Sequence, residues 1–236
     1  MQTWRQRLGS YAEPRLLIAL GAIAACAWIF FGIAEYVSDG GPHALDTSLL
    51  LALRNPADPS DPLGPVWFEE LMRDVTALGS MGILVGLTLA VAGYLWLLGN
   101  RRSMGLMLAA VYGGILASSF FKHWFDRPRP DLVPHEMAVS TASFPSGHSM
   151  LAAVTYLTLA AMLARVQPTR ALKVYVLAVA VLVTVGVGVS RVYLGVHWPS
   201  DVLGGWTAGA AWALACWLIA GWIEGSGSSR EPPRAN

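Results

Sequence analysis

The sequence predicts an all-α integral membrane protein with six transmembrane helices. Of its 236 residues, 55% are hydrophobic and only 13% are charged, and the mean hydropathy is +0.50. Soluble domains carry about 25% charged residues, so the composition excludes a disordered chain and most soluble enzymes. Several stretches approach the roughly 20 apolar residues that a spanning helix needs. None alternates as a barrel strand does, which favours a helical bundle.

The predicted spans lie between charged or turn-forming residues. They cover residues 16–36, 78–99, 103–121, 146–164, 173–190 and 202–223. The first follows Arg15, and its apolar run continues beyond Cys26, where a cleaved lipoprotein would become polar. We therefore expect an uncleaved span rather than a signal peptide. Cys26 and Cys216 both lie inside apolar stretches, so neither a disulfide nor a metal site is expected from them.

The charges between the spans set the expected orientation. Basic residues precede the first span and occupy the second-to-third and fourth-to-fifth connections: Arg5, Arg7, Arg15, Arg101, Arg102, Arg165, Arg170 and Lys173. The positive-inside rule therefore places both termini and these connections in the cytoplasm. The connections over residues 35–74, 122–145 and 191–201 are then expected to face outward.

The first outward connection, residues 35–74, is long and acidic. It holds eight acids and two bases, and its middle is rich in Asn, Pro and Asp, which predicts a turn-rich break. Beyond the break, the spacing of Val66, Trp67, Leu71 and Met72 predicts a short amphipathic helix on the membrane surface. That helix could line a lipid entrance or serve only as a packing element.

The whole chain, residues 1–236, is expected to form one membrane-embedded domain. Sixteen basic and fifteen acidic residues give a net charge of +1, so there is no electrostatic case for binding nucleic acid. Residues 225–236 are rich in Gly, Ser and Pro, which predicts a disordered tail.

The start of the fourth span combines several features of an anion site. Pro145 and Ser146 before a long apolar run predict an N-cap. A helix N-terminus offers free N–H groups and a partial positive charge, which suit a phosphate, and Gly147 lets an anion approach the backbone closely. His148 lies in the first turn. Taken alone, a capped helix with an interfacial histidine would explain this stretch as well.

A possible nucleophile lies between the fifth and sixth spans. His197 and Asp201 are four residues apart, so they share one face if a helix begins there. A carboxylate bonded to one imidazole nitrogen fixes the tautomer and leaves the other nitrogen free to attack. A pair that only stabilises an interfacial helix start is the simpler explanation, but it leaves unexplained why Arg191 lies at the facing helix end.

Two further cations follow the third span. Lys122 ends that span, and Arg129 lies in an Arg-Pro-Arg-Pro turn. Because prolines end the helix, Arg129 can fold back towards Lys122. With Arg191, these side chains would bind a doubly charged phosphate, for which arginine is the better bidentate donor. Interfacial anchoring is the simpler explanation for any single cation.

Together the three stretches resemble the signature of the type 2 phosphatidic acid phosphatase (PAP2) superfamily, in its bacterial integral-membrane branch. The signature is K-x6-R-P, P-S-G-H and S-R-x5-H-x3-D, and residues 122–201 match every specified position. The resemblance implies a helical bundle like that of the vanadate haloperoxidases. It also implies hydrolysis of a lipid phosphate without a metal or any other cofactor.

The resemblance further implies a two-step phosphate transfer. In it, His197 attacks phosphorus and forms a phosphohistidine, Asp201 orients His197, and His148 protonates the leaving oxygen and later helps activate water. The phosphoryl oxygens are held by Lys122, Arg129, Ser146, Gly147 and Arg191. Residues off the signature are expected at the surface or in loops: His123, Arg127 and His135. No catalytic role is assigned to Arg73, Asp74, Gly79 or Ser80.

The sequence does not identify the substrate or the oligomeric state. Undecaprenyl pyrophosphate, phosphatidylglycerophosphate, phosphatidic acid and lipid A phosphates present similar headgroups. A vanadate-dependent haloperoxidase is one alternative, although a soluble oxidant does not need six spans. A lipid or ion transporter is another, but transport usually uses ionisable groups in mid-membrane, and the predicted span interiors contain none. The expected location is the bacterial inner membrane, with the site facing outward.

Overall fold

The computed structural model of the chain describes residues 4–39, 41, 43–132 and 142–228. Over these residues the chain forms eight α-helices and one antiparallel two-stranded hairpin. In chain order the elements are α1 (Trp4–Tyr36), α2 (Ala44–Leu51), β1 (Arg54–Asn55), β2 (Asp58–Pro62), α3 (Val66–Ala77), α4 (Met81–Leu97), α5 (Arg101–Phe125), α6 (Gly147–Val166), α7 (Arg170–Tyr193) and α8 (Pro199–Ser228).

The helices confirm the predicted all-α membrane fold. Among the described residues, five segments are long and apolar enough to cross a membrane alone: Leu16–Tyr36, α5, α6, α7 and Pro199–Ile223. The helix α4 has only 17 residues and joins α3 through a bend of 51°. Taken as one broken span, this pair raises the number of candidate spans to six. The amphipathic helix predicted before the second span is α3.

Several helix boundaries differ from the ends of the predicted spans, most clearly in α5 and α8. The helix α5 continues past residue 121 to Phe125. It is followed by Asp126, whose φ of 38° is left-handed, a conformation that Asp adopts more readily than most residues. The helix α8 begins at Pro199, because proline is well suited to a first helical position. It continues to Ser228, into the predicted tail, and residues 229–236 lie outside the described part of the chain.

The connection between α1 and α4, residues 37–80, contains more regular structure than predicted; we call it the first connecting segment. Its predicted turn-rich break is a short hairpin, in which Arg54 pairs with Pro62 and Asn55 with Asp58 in an irregular register. The buried Arg54 Nη2 donates to the carbonyl oxygen of Tyr193 at 2.7 Å. The hairpin is thereby attached to the end of α7.

Close contact between α6 and α8 sets the geometry of the bundle. A Cβ at Gly205 would lie 2.7 Å from the carbonyl oxygen of Ser146, and one at Gly209 would lie 2.6 Å from that of Met150. Small residues four apart let two membrane helices approach in this way. The N-termini of the helices consequently lie side by side, and the Ser146 N–H donates to the Asp201 carbonyl oxygen at 2.9 Å.

An aromatic cluster holds the loop before α6 against this pair of helices. Phe30, Ala34 and Val37 pack with Phe144 in one buried cluster, so the end of α1 covers the loop. A Cβ at Gly204 would lie 2.5 Å from the ring of Phe144, which leaves the ring directly against the α8 backbone. The residues that follow Phe144 are thus fixed beside the start of α8.

Candidate active site

The ends of α5 and α7 meet the beginnings of α6 and α8 at one end of the bundle, which we call the site end. Lys122 lies beside the start of α6, since a Cβ at Gly147 would be 3.2 Å from its Cε and 3.4 Å from its Nζ. Ser146 is the predicted N-cap, and its Oγ accepts the Ser149 N–H at 3.4 Å. A cation therefore adjoins a helix N-terminus, which itself favours an anion.

The geometry around His197 identifies the nitrogen that carries its proton. His197 lies just before α8, with its Nδ1 3.3 Å from Oδ2 of Asp201 and its Nε2 3.2 Å from Nη1 of Arg129. Guanidinium nitrogens only donate, so in this contact Nε2 is unprotonated. The ring proton is then on Nδ1, facing the carboxylate. The lone pair of Nε2 then points towards Arg129. A histidine that acts as a nucleophile needs such an unprotonated ring nitrogen.

Asp201 is held in a single orientation by several donors. It lies in the first turn of α8 and is 0% exposed. Besides facing His197, its Oδ2 accepts the Trp198 N–H at 2.9 Å and the hydroxyl of Ser143. Because these donors belong to three separate residues, rotation of the carboxylate would break several hydrogen bonds at once.

Burial keeps His197 neutral. It lowers the pKa of His197 to about 3, because desolvation disfavours the charged imidazolium. The hydrogen bond and charge of Asp201 oppose this shift, whereas Arg129 and Arg191 add to it. Near neutral pH the imidazole is therefore in the form that can attack an electrophile.

The first connecting segment closes a second side of the site. Arg191 is 1% exposed, and its Nη1 donates to Oγ1 of Thr76, at the end of α3, at 3.1 Å. Gly79, in the bend before α4, lies against α6 and α7: a Cβ there would be 3.2 Å from Cβ of His148 and 2.4 Å from Cγ1 of Val187. A side chain at Gly79 would therefore displace His148.

The predicted site residues lie together at the site end. They are Lys122, Arg129, Ser146, Gly147, His148, Arg191, His197 and Asp201. The half-buried His148 is near enough to interact electrostatically with Lys122, Arg129, Arg191 and His197. Cations and imidazoles thus surround the N-terminus of α6. This arrangement can bind a dianion and present it to an unprotonated imidazole nitrogen.

Arg127 was expected at the surface or in a loop. It lies in the loop after α5, but it is not at the surface, since it is only 1% exposed. Its Nη1 donates to Oδ1 of Asp201 at 2.7 Å, and its Nη2 donates to Oδ2 of Asp46 at 2.9 Å. Its burial was not predicted because its partners are brought to it by distant parts of the chain. His123 is exposed, as predicted, and His135 lies outside the described residues.

Three residues that support the site from other elements were not predicted from the sequence. They are Asp46, Thr76 and Ser143. Asp46 is the only charged residue of α2, whose sequence is otherwise apolar or hydroxylic. A lone acid in such a stretch indicates a buried, paired carboxylate when the helix is in a core, so this signal was available. Thr76 and Ser143 carry no comparable signal.

The fold and the geometry define a class: a multi-pass helical membrane protein in which two histidines and several cations lie together at one end of the bundle. Within that class, the chain belongs to the PAP2 superfamily, whose family model matches residues 102–224. The matched range contains all three signature motifs, and the resemblance identified from the sequence is confirmed.

Two relatives illustrate this membership. The chain is 38% identical over 162 residues to phosphatidylglycerophosphatase B of Bacillus subtilis (strain 168), covering 67% of this chain and 76% of that protein. It is 34% identical over 140 residues to the putative undecaprenyl-diphosphatase YbjG of Escherichia coli (strain K12), covering 56% of this chain and 64% of that protein.

Two solved structures share the fold. The first is the transmembrane PAP2-type phosphatidylglycerolphosphate phosphatase of Bacillus subtilis, with a TM-score of 0.69, 28% identity and coverage of 90% of this chain and 98% of that one. The second is Aquifex aeolicus LpxE, with a TM-score of 0.54, 22% identity and coverage of 75% and 95%. At that identity, the second likeness concerns the fold alone.

Proposed function

We propose that the protein hydrolyses the phosphate monoester or pyrophosphate headgroup of a membrane lipid through a phosphohistidine on His197. One observation carries the proposal: the unprotonated Nε2 of a buried histidine points at Arg129, 3.2 Å away, where Lys122 and Arg191 also converge. The names of the two relatives, a phosphatidylglycerophosphatase and a putative undecaprenyl-diphosphatase, support a lipid phosphate as substrate.

In the first step, the Nε2 lone pair of His197 attacks phosphorus. An N–P bond forms while the bond to the leaving oxygen breaks. His148, which takes up a proton when the phosphate dianion binds among the cations, donates that proton to the leaving oxygen. The Nδ1 proton stays with His197, where the carboxylate of Asp201 stabilises the positive charge that develops on the ring. Arg129 exchanges its contact with Nε2 for a phosphoryl oxygen as the substrate enters.

In the second step, water attacks the phosphohistidine. His148, now neutral, accepts a proton from the water as its oxygen bonds to phosphorus, and the N–P bond breaks. Inorganic phosphate leaves, and both histidines return to their starting states. The same residue thus acts as acid and then as base.

The phosphoryl oxygens are held by Lys122, Arg129 and Arg191 together with Ser146 and the backbone at Gly147. Fixed donors aimed at developing charge are the largest contribution in many enzymes. In our proposal these cations fill the role that magnesium plays in other phosphoryl transfers. Among the described residues, no group of three or more His, Cys, Asp or Glu side chains is arranged to hold a metal ion.

The proposed location is the bacterial inner membrane, with both termini in the cytoplasm and the site facing outward. The basic residues of the two connections at the opposite end of the bundle support this orientation. A lipid headgroup at the outer surface would then reach the site while its chains stay in the bilayer.

The test is phosphate release from a panel of purified lipid phosphates in detergent, with and without EDTA. We expect release from at least one lipid, no effect of EDTA, and loss of release in His197→Ala. The control is His123→Ala, which removes an exposed histidine at the same end and should release phosphate as the wild type does. Equal turnover by His197→Ala, or inhibition by EDTA, would contradict the mechanism.

A further inference from the structure

We propose that Arg127 is a positioning residue that fixes the tautomer of His197 by holding Asp201, and that Asp46 extends this control to the first connecting segment. The inference rests on the proposed function, since it assigns a role in preparing the same nucleophile. Arg127 donates to Asp201, Asp46 and Ser200 and acts on His197 through Asp201.

The guanidinium of Arg127 joins two carboxylates that are far apart in the chain. Nη1 contacts Asp201 at 2.7 Å and Nη2 contacts Asp46 at 2.9 Å, and the exposed fractions of the three side chains are 0%, 0% and 2%. Asp46 in turn accepts the backbone N–H of Ser200 at 2.9 Å and its hydroxyl. The helix α2 is therefore fastened to the first turn of α8.

The two oxygens of Asp201 have different partners. Oδ1 binds Nη1 of Arg127, whereas Oδ2 faces His197, Ser143 and the Trp198 N–H. Because Arg127 occupies Oδ1, the plane of the carboxylate is fixed with Oδ2 towards the ring. Asp46 fixes the guanidinium from its other side, so that Nη1 stays aimed at Asp201.

The charge of Arg127 matters as much as its shape. A buried carboxylate that loses its cation binds a proton more readily. A protonated Asp201 could donate to Nδ1 of His197, and the ring proton would then sit on Nε2. That is the atom that must attack phosphorus, so the nucleophile would be blocked without any loss of the phosphate site.

The direct test is ring-¹⁵N NMR of histidine-labelled protein in nanodiscs, with the His197 signals assigned by their loss in His197→Ala. We expect the Nδ1–H tautomer in the wild type, a shift towards Nε2–H in Arg127→Met, and a smaller shift in Arg127→Lys, since lysine cannot bind both carboxylates through one planar fork. The Nδ1–H tautomer unchanged in both variants would overturn the inference.

The matched control is Arg54→Met. Arg54 is also a buried arginine at the site end, 4% exposed, but it binds the Tyr193 carbonyl oxygen instead of Asp201. Its removal should lower thermal stability and leave the tautomer of His197 unchanged. If both arginine variants shift the tautomer equally, the effect is general loosening and the inference fails.

Steady-state kinetics, measured on the folded fraction of each variant, provide a second test. We expect kcat to fall about 100- to 10,000-fold in Arg127→Met with KM within about threefold, as when a carboxylate no longer orients its histidine. Asp46→Asn should lower kcat about tenfold, because the guanidinium keeps its charge but loses a fixed partner.

If Arg127→Met does not fold, the test uses Arg127→Lys and Asp46→Asn instead. A wild-type kcat and a wild-type His197 tautomer in both of these variants would overturn the inference. A wild type that hydrolyses no lipid phosphate would defeat the proposed function, whereas the tautomer measurement would still stand.

Discussion

Arginines at the two ends of the bundle have opposite environments. At the site end, Arg127 and Arg191 are each 1% exposed and bind side chains from other elements. At the opposite end, Arg102 and Arg165 are exposed and bind main-chain carbonyl oxygens of α8, those of Ile223 and Trp217. By position in the sequence alone, all four are charges near span ends.

This contrast shows when a charge at a span end indicates a site. An exposed arginine can leave its stem in the apolar region and its head in the interface, which is ordinary anchoring. A buried arginine has lost its water, so it persists only where fixed acceptors of the protein replace that water. For Arg127 and Arg191 these acceptors include carboxylates and a hydroxyl. The partners, rather than the cation, distinguish the two ends.

The largest expected difference comes from the same substitution made at each end. Arg191→Met should lower kcat/KM about 100- to 1,000-fold, the usual effect of removing one donor that stabilises developing charge. Arg165→Met should stay within about twofold, because exposed surface substitutions have small effects. Phosphate release measured on both proteins checks this, and equal losses would remove the distinction between the ends.

A smaller difference is expected from adding one methyl group at each end of α8. Gly205→Ala should destabilise the protein by about 1–3 kcal/mol, the usual cost of overpacking, because the new Cβ would lie 2.7 Å from the Ser146 carbonyl oxygen. At Gly221 the nearest atom is 4.0 Å away, on Arg165, so Gly221→Ala should be neutral or slightly stabilising. Thermal unfolding in detergent compares the two variants, and equal melting temperatures would contradict the close packing of α6 on α8.

The last expected effect concerns pH. Unfolded histidine binds a proton below about pH 6.5, whereas burial lowers the pKa of His197 in the folded protein to about 3. Between these values the unfolded state binds more protons, so stability falls as the pH is lowered through this window. We expect the melting temperature of His197→Gln to depend less steeply on pH than that of the wild type. Parallel curves from pH 6.5 down to pH 4 would contradict the neutral, buried His197.

The signature residues could be predicted because each motif is local. The spacing of His197 and Asp201 already implies one helical face, and Pro145 with Ser146 already implies a helix start. Their meeting follows once α6 and α8 pack through Gly205. The expectation that these motifs meet across long separations came from the resemblance to the PAP2 superfamily, because local spacing alone does not contain it.

The residues that support these motifs could not be predicted, because their contacts join distant parts of the chain. Asp46 and Arg127 are separated by 81 residues, and their contact depends on where the first connecting segment folds. That segment combines a two-turn helix, an irregular hairpin and a bent helix pair, for which polar and turn-forming residues give few periodic signals. The sequence therefore predicted only a long, acidic connection with a turn-rich break, although one of its acids, Asp46, is buried beside the site.

In the proposed reaction, His197 carries the phosphoryl group. The most direct measurement is covalent trapping in His148→Ala with ³²P-labelled p-nitrophenyl phosphate, whose leaving group departs without an acid, followed by alkaline quenching and peptide mapping. The account predicts alkali-stable label on His197 that accumulates because water is no longer activated, and no label when His197→Ala is added. Label on another residue, or continued hydrolysis in the double variant, would contradict it.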